Sequence, residues 1–175
     1  MNAPSARMQV MTGEKFACVR IIGRANFNSS IDFKTLVSDL RQKGCTYFVL
    51  DLSECALMDS TFLGELAGFG LKMLPSSGES DGRAIELVGA NPRIAELLEN
   101  LGVIHLFKLT EGPLSLPNRG EAHPCESVTT SREEVTRACL EAHQTLMAIS
   151  PDNVIRFKDV TQFLAENLRK LKSSP

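Results

Sequence analysis

Few residues in this chain have the types and spacing that chemistry needs, and the most suggestive are consecutive, Asp59-Ser60-Thr61. They follow a short apolar run, Tyr47-Phe48-Val49-Leu50, that ends at Asp51, and they open a helical pattern running from Ser60 to about Leu74. A hydroxyl at a helix start lies beside backbone N–H groups that have no partner inside the helix. It can serve as a simple cap, or it can carry a negatively charged group that the positive end of the helix dipole tolerates.

The other reactive side chains are scattered. His105, His123 and His143 fall in different elements with no ligand spacing, so neither a metal centre nor a catalytic dyad is expected. The five cysteines (Cys18, Cys45, Cys55, Cys125, Cys139) are odd in number and never spaced as C-x-x-C, which argues against a disulfide framework or a zinc site and fits neutral thiols in a reducing cytosol. Gly64, Gly68 and Gly70 lie inside a helical pattern, where they permit close packing and form no phosphate-binding loop. Ser76, Ser77 and Ser80 belong to a stretch, Pro75 to Gly82, with the composition of a loop. No triad, metal set or cofactor loop is visible, so neither an enzyme nor a cofactor is expected.

The elements that must position Ser60 alternate between two periods. Met8 to Gly23 reads as two strands around Thr12-Gly13. Phe33, Leu36, Val37 and Leu40 fall on one face of a helix from Ser29 to Lys43, with Ser29 or Ser30 as cap and Gly44 at its end. The run Tyr47 to Leu50 suits a strand covered on both faces. Ile85 to Val88 gives another strand, Asn91-Pro92 a helix entry, and Leu106 to Leu109 a last edge strand. Strands alternating with helices predict an α/β fold with helices on a sheet. Glu111 to Pro124 breaks the pattern with prolines and glycines. Beyond it, the capping box Ser131-Arg132-Glu133-Glu134 and the restart at Ser150-Pro151-Asp152 predict two amphipathic helices in a hairpin. The expected organisation is a domain over residues 1–112, a linker over 113–126 and a helical hairpin over 127–175.

The net charge of −2 supplies no long-range attraction to nucleic acid or an anionic membrane surface. No run approaches the ~18 apolar residues of a membrane span, and Met1 to Arg7 lacks a signal-peptide layout. A cytoplasmic location is therefore expected.

The stretch Asp51-Leu52-Ser53-Glu54-Cys55-Ala56-Leu57-Met58-Asp59-Ser60-Thr61-Phe62-Leu63-Gly64 resembles the core motif of STAS domains, the family of bacterial anti-sigma-factor antagonists and sulfate-transporter tails. Gly23-Arg24-Ala25-Asn26-Phe27 looks like the family's turn after its second strand, and Glu86 to Pro92 through Leu106-Phe107 like its closing strand-helix-strand. The resemblance covers roughly residues 8–110 in matching order. It implies a mixed β-sheet of four to five strands with helices packed on it, here with the C-terminal hairpin added. It also implies a phosphate acceptor at Ser60, the serine directly after Asp59.

The partner implied is an anti-sigma factor and serine kinase of the histidine-kinase-like ATPase type, with a phosphatase to reset the protein. A phosphoryl group adds roughly −1.5 to −2 charges to a patch that Asp59 already makes negative, so the switch would act on docking more than on folding. Thr61 is the weaker acceptor, suited to packing or capping. Asp59 is equally an N-cap or a group that helps the kinase orient its substrate. Two departures stand out: Phe62 where the family usually has Gly, and Asn26 where many antagonists have Asp. Phe62, Leu66, Phe69 and Met73 form one helical stripe and Leu63, Ala67, Gly70 and Leu74 another. One should face the sheet; the other could bind a partner or bed the hairpin. The expected docking set is Asn26, Asp59, Thr61, Phe62, Leu66 and Phe69. The alternative is a scaffold subunit of a transporter or sensory complex, with no phosphorylation, Phe62 as interface anchor and Ser60 as a cap. The hairpin could dimerise the protein, shield the partner face or add specificity.

Overall fold

Short β-branched and apolar runs in the first half of the chain become neighbouring strands in a computed structural model, which describes residues 5–74, 84–111, 123–125 and 129–173. Strands β1 (Arg7–Thr12) and β2 (Phe16–Ala25) form an antiparallel hairpin closed by Gly13 N–H donating to the Phe16 carbonyl at 2.9 Å. Helix α1 (Phe27–Gln42) returns the chain to β3 (Tyr47–Asp51), which lies parallel to β2. After β4 (Cys55–Met58), α2 (Ser60–Lys72) crosses to β5 (Ile85–Val88), parallel to β3. Helix α3 (Pro92–Asn100) and a short 3-10 turn lead to β6 (Lys108–Thr110), parallel to β5. A two-residue strand, β7 (His123–Pro124), pairs antiparallel with β1. The order across the sheet is β6-β5-β3-β2-β1-β7, with β4 attached beside the end of β2. Helices α4 (Arg132–Ile149) and α5 (Pro151–Ser173) complete the chain.

The alternation of side chains along each strand divides the sheet into two unlike faces. Ala17, Val19, Ile21, Phe48, Leu50, Ile85 and Leu87 join Phe33, Phe62, Leu63, Leu66 and Leu98 in the main core beneath the helices. The opposite face carries only a small cluster of Cys18, Val49 and Val88 with Met11 and Tyr47 beside it. β3 is buried on both faces, as its apolar run predicts, with Phe48 and Leu50 in the main core and Val49 4% exposed on the other face. Its outer face is finished by polar pairs: Arg20 Nε donates to Asp51 Oδ2 at 3.0 Å, and the Tyr47 hydroxyl donates to Glu86 Oε2 at 2.7 Å.

The sheet exceeds the four to five strands expected because β4, β6 and β7 are short pieces of two to four residues that add to it at its margins. β7 falls within the segment read as linker; most of that segment, and the Pro75 to Gly82 loop, lie outside the described residues. Helix α1 starts two residues before Ser29, because Asn26 is its cap, and Gly44 ends it with φ of +103°, a left-handed conformation that glycine adopts without steric cost.

Burial on the outer sheet face sets the chemistry of Cys18. Desolvation first, then the Asp51 charge, push its thiol up to about 11, against the opposing pull of Arg20. At pH 8 such a thiol is about one part in a thousand thiolate. Iodoacetamide at pH 8 is expected to leave Cys18 unmodified in the folded chain and to label it in urea, as peptide-mapping mass spectrometry will read. Rapid labelling without urea would contradict the packing described for this face.

Candidate functional site

The connection from β3 to α2 is built by short side chains that hydrogen-bond their own backbone. Asp51 Oδ1 accepts from the Ser53 N–H at 3.0 Å and from the Ser53 hydroxyl at 2.6 Å, which turns the chain out of β3. Strand β4 then runs beside β2 past an irregularity at Gly23/Arg24 and delivers Asp59 to the amino end of α2. Asp59 has extended backbone angles and its Oδ1 accepts from the Phe62 N–H at 2.8 Å, as an N-cap does.

Its other carboxylate oxygen reaches a second helix. Asp59 Oδ2 accepts from the Phe27 N–H at 2.8 Å, at the start of α1. One carboxylate thus ties together two helix N-termini, where anionic groups are favoured. Asn26 caps α1 alongside it: its Oδ1 accepts from the backbone of Asn28 and Ser29 and from the Ser5 hydroxyl at 3.2 Å, while the Ser29 hydroxyl accepts from the Asn26 N–H at 3.0 Å. Asn26, Asp59 and Ser60 are each partly exposed, and the Phe27 ring beside them is 42% exposed. Phe27 belongs to the turn singled out in the sequence but not to the expected docking set.

The remaining expected contacts lie inside the protein. Phe62 and Leu66 are fully buried, Phe69 is 5% and Thr61 6% exposed. Phe62 meets the ring of Phe33 at 5.1 Å, and Phe69 meets Phe33 and Phe48 edge-on. These four side chains are therefore corrected from surface contacts to interior ones. The reason is that α2 is covered twice, by the sheet with α1 on one side and by α4 on the other. Gly64 marks the second contact: a Cβ there would stand 2.4 Å from the Ala142 carbonyl oxygen, closer than atoms can approach.

That packing brings to Ser60 a residue that no spacing along the chain pointed to. The Ser60 Oγ lies 2.9 Å from His143 Nε2, 83 positions along the chain. His143 Nδ1 is 2.6 Å from the Cys139 carbonyl, which can only accept, so Nδ1 holds a proton and, in the neutral ring, Nε2 accepts from the Ser60 hydroxyl. The histidines lie in different elements with no spacing for a metal or a catalytic dyad, and that spacing offers no sign of this contact. Such a pair has two parts of a nucleophile–base arrangement. Yet the ring is only 5% exposed and packs edge-on against Phe157 at 5.0 Å, while Asp59 commits both carboxylate oxygens to backbone N–H groups.

Next to it, burial pushes the Cys139 thiol up most, the neighbouring Thr61 side chain pulls it down, and the Asp59 and Glu65 charges raise it again. Between α1, α2 and α4 lies a cavity of about 190 Å³ lined in part by Lys34, Glu65, Lys72 and Glu141, with Lys34 Nζ 3.6 Å from Glu141 Oε2 across it. Burial is the main cause that raises the Glu65 carboxyl above its ordinary range. Among the described residues no group of three or more His, Cys, Asp or Glu side chains is placed to hold a metal, and no helix is long and apolar enough to cross a membrane.

The pattern of the STAS domain family matches residues 7–113, most of the chain, and the protein belongs to that family. Among solved structures, a candidate anti-sigma factor antagonist of Thermotoga maritima (tm1081) superposes with a TM-score of 0.51 at 19% identity, covering 61% of this chain and 87% of that one. The anti-sigma factor antagonist SpoIIAA in its unphosphorylated form gives a TM-score of 0.48 at 15% identity, over 61% of this chain and 89% of that one. The phosphorylated form of the Bacillus cell fate determinant SpoIIAA gives 0.46 at 15% identity, over 59% and 90%. These likenesses concern the fold. Comparison with curated proteins returns no match.

Proposed function

We propose that this chain is a cytoplasmic, non-enzymatic regulatory module of the anti-sigma-factor-antagonist kind, whose docking to a partner is set by phosphorylation of Ser60. The observation that carries the reading is the placement of Ser60: a partly exposed serine on the first turn of α2 in a STAS domain, beside the exposed Phe27 ring and the Asn26 turn. The partner is an anti-sigma factor and serine kinase of the histidine-kinase-like ATPase type. ATP gives its γ-phosphoryl to Ser60 Oγ, the hydroxyl proton passes to a base of the kinase, and ADP leaves; a phosphatase returns the serine. The added charge sits at a helix N-terminus that tolerates it, next to the Asp59 carboxylate, and repels a partner docked there.

The test uses the full chain as wild type, Ser60→Asp and Ser60→Ala, co-purified with candidate ATPases of this type from the same host. The Ala form is expected to be retained at least ten-fold more than the Asp form. Equal retention of the two would falsify the switch.

One observation favours a second reading, a scaffold subunit with no phosphorylation: the Ser60 hydroxyl already has a partner in His143. Under that reading intact-mass measurement of protein from its native host finds no phosphorylated fraction in any growth condition.

A further inference from the structure

Helix α4 meets α2 at four successive places, from Ser60 at its start to Gly68 in its second half. Ser60 bonds His143 at 2.9 Å, Thr61 stands beside Cys139, Gly64 faces the Ala142 backbone, and a Cβ added to Gly68 would lie 3.7 Å from Thr145 Cγ2. The hydroxyl of Ser60 is thus itself part of the hairpin contact. A phosphoryl donor must come within roughly 3–3.5 Å of that oxygen, and the approach on the α4 side is occupied by an imidazole fixed between the Cys139 carbonyl and the Phe157 ring.

The hairpin shares little of the main core, although α4 also buries Ala138, Leu140 and Ala142. Of its side chains only Leu146 belongs to the main buried cluster, with Ile149 and Phe157 packed against it. Only Asn153 and Thr161 of the 23 residues of α5 are buried, and Ile155 and Phe163 stand 76% and 65% exposed. At the joint between the two helices the buried Asn153 amide donates to the Leu101 and Leu146 carbonyls, and the first of these bonds is the one that reaches the domain. By contrast, the rings of Phe33, Phe48, Phe62 and Phe69 hold α1 and α2 on the sheet through contacts that do not involve α4.

We propose that the α4–α5 hairpin is a latch in cis on the phosphoacceptor: docked, it withholds Ser60 and covers the adjoining face of α2; released, it exposes both. This rests on the reading of Ser60 as an acceptor, but its test needs no partner, so that the two can fail separately.

Hydrogen exchange read by mass spectrometry on the full chain decides whether the hairpin opens alone. The α4 amides are expected to exchange through an opening at least ten-fold more frequent than the one that exposes β2 and β3. Gly64→Ala, which places a Cβ against the Ala142 backbone, is expected to raise α4 exchange at least a further ten-fold and leave β3 unchanged. In parallel, Ser60→Cys is alkylated by iodoacetamide with peptide-resolved detection, with and without Gly64→Ala; the labelling rate at position 60 is expected to rise at least ten-fold with the second substitution. If α4 exchanges in step with β3 in the unsubstituted chain, or if Gly64→Ala leaves position 60 no more reactive, there is no latch. If the exchange and labelling results hold while Ser60→Asp and Ser60→Ala bind a kinase equally, the hairpin opens as described and the phosphorylation reading alone is lost.

Discussion

Phe62→Ala is expected to lower the free energy of unfolding by about 3–5 kcal/mol, the range found when a large buried ring is truncated. The side chain is fully buried and starts a series of ring contacts, Phe62–Phe33 at 5.1 Å, Phe33–Phe69 at 6.0 Å and Phe69–Phe48 at 4.9 Å, that joins α2, α1 and β3. Removing the first member leaves a void between two helices that small relaxations cannot fill, and it also loses the tilted ring contact. Against a total stability of roughly 5–15 kcal/mol for a domain of this size, that is a large fraction. Urea denaturation will read the effect as a lower midpoint. A variant of unchanged stability that had lost only partner binding would return Phe62 to the role of surface anchor, contrary to its burial.

The second large effect is expected at Asp59. Replacing it by alanine removes the acceptor for the Phe27 N–H at the start of α1 and for the Phe62 N–H at the start of α2, both at 2.8 Å. A lost N-cap costs typically about 1 kcal/mol and as much as about 2. With two helix starts served by one carboxylate, Asp59→Ala is expected to cost about 2–3 kcal/mol. Asp59→Asn keeps one amide oxygen and turns an NH₂ toward the other donor, so about half of that loss is expected. Denaturation gives the totals, and hydrogen exchange at the Phe27 and Phe62 amides separates the two ends. A loss below about 0.5 kcal/mol for Asp59→Ala would assign the carboxylate to partner recognition, leaving the helix starts to solvent and neighbouring groups.

Where local rules govern, the sequence was readable. The Asn91-Pro92 entry to α3 and the reciprocal bonds of Ser131 and Glu134 at α4 occur as the residue types require. Asp59 as a cap was legible in the same way. Asn26 was harder, because Ser29 and Ser30 are equally good capping types; Ser29 turns out to supply the returning half of a box whose first half is Asn26. β4 has only four residues and pairs with β2 beyond an irregularity, too little pattern to distinguish it from a loop.

The two stripes on α2 each had a plausible surface role, and the choice depended on what α4 covers, which no window of sequence contains. His143 was hidden for the same reason. Its one local signal is position: it lies four residues after Cys139 and three before Leu146, on the apolar stripe of α4, where an unexplained polar side chain calls for a buried partner.

The pairing of His123 and Pro124 with β1 has a mechanical consequence. The Cys125 N–H still donates to the Met8 carbonyl at 2.9 Å, and α4 is capped by Ser131, so only five residues separate sheet edge from helix. At ~3.3–3.6 Å per residue, the amino end of α4 can travel no more than roughly 20 Å from its anchor. A helix pair on so short a leash remains at millimolar local strength. If the hairpin is the latch proposed above, a visitor to its berth must outcompete a resident that stays in the neighbourhood, and the two-residue strand is the element that sets how strongly that visitor has to bind.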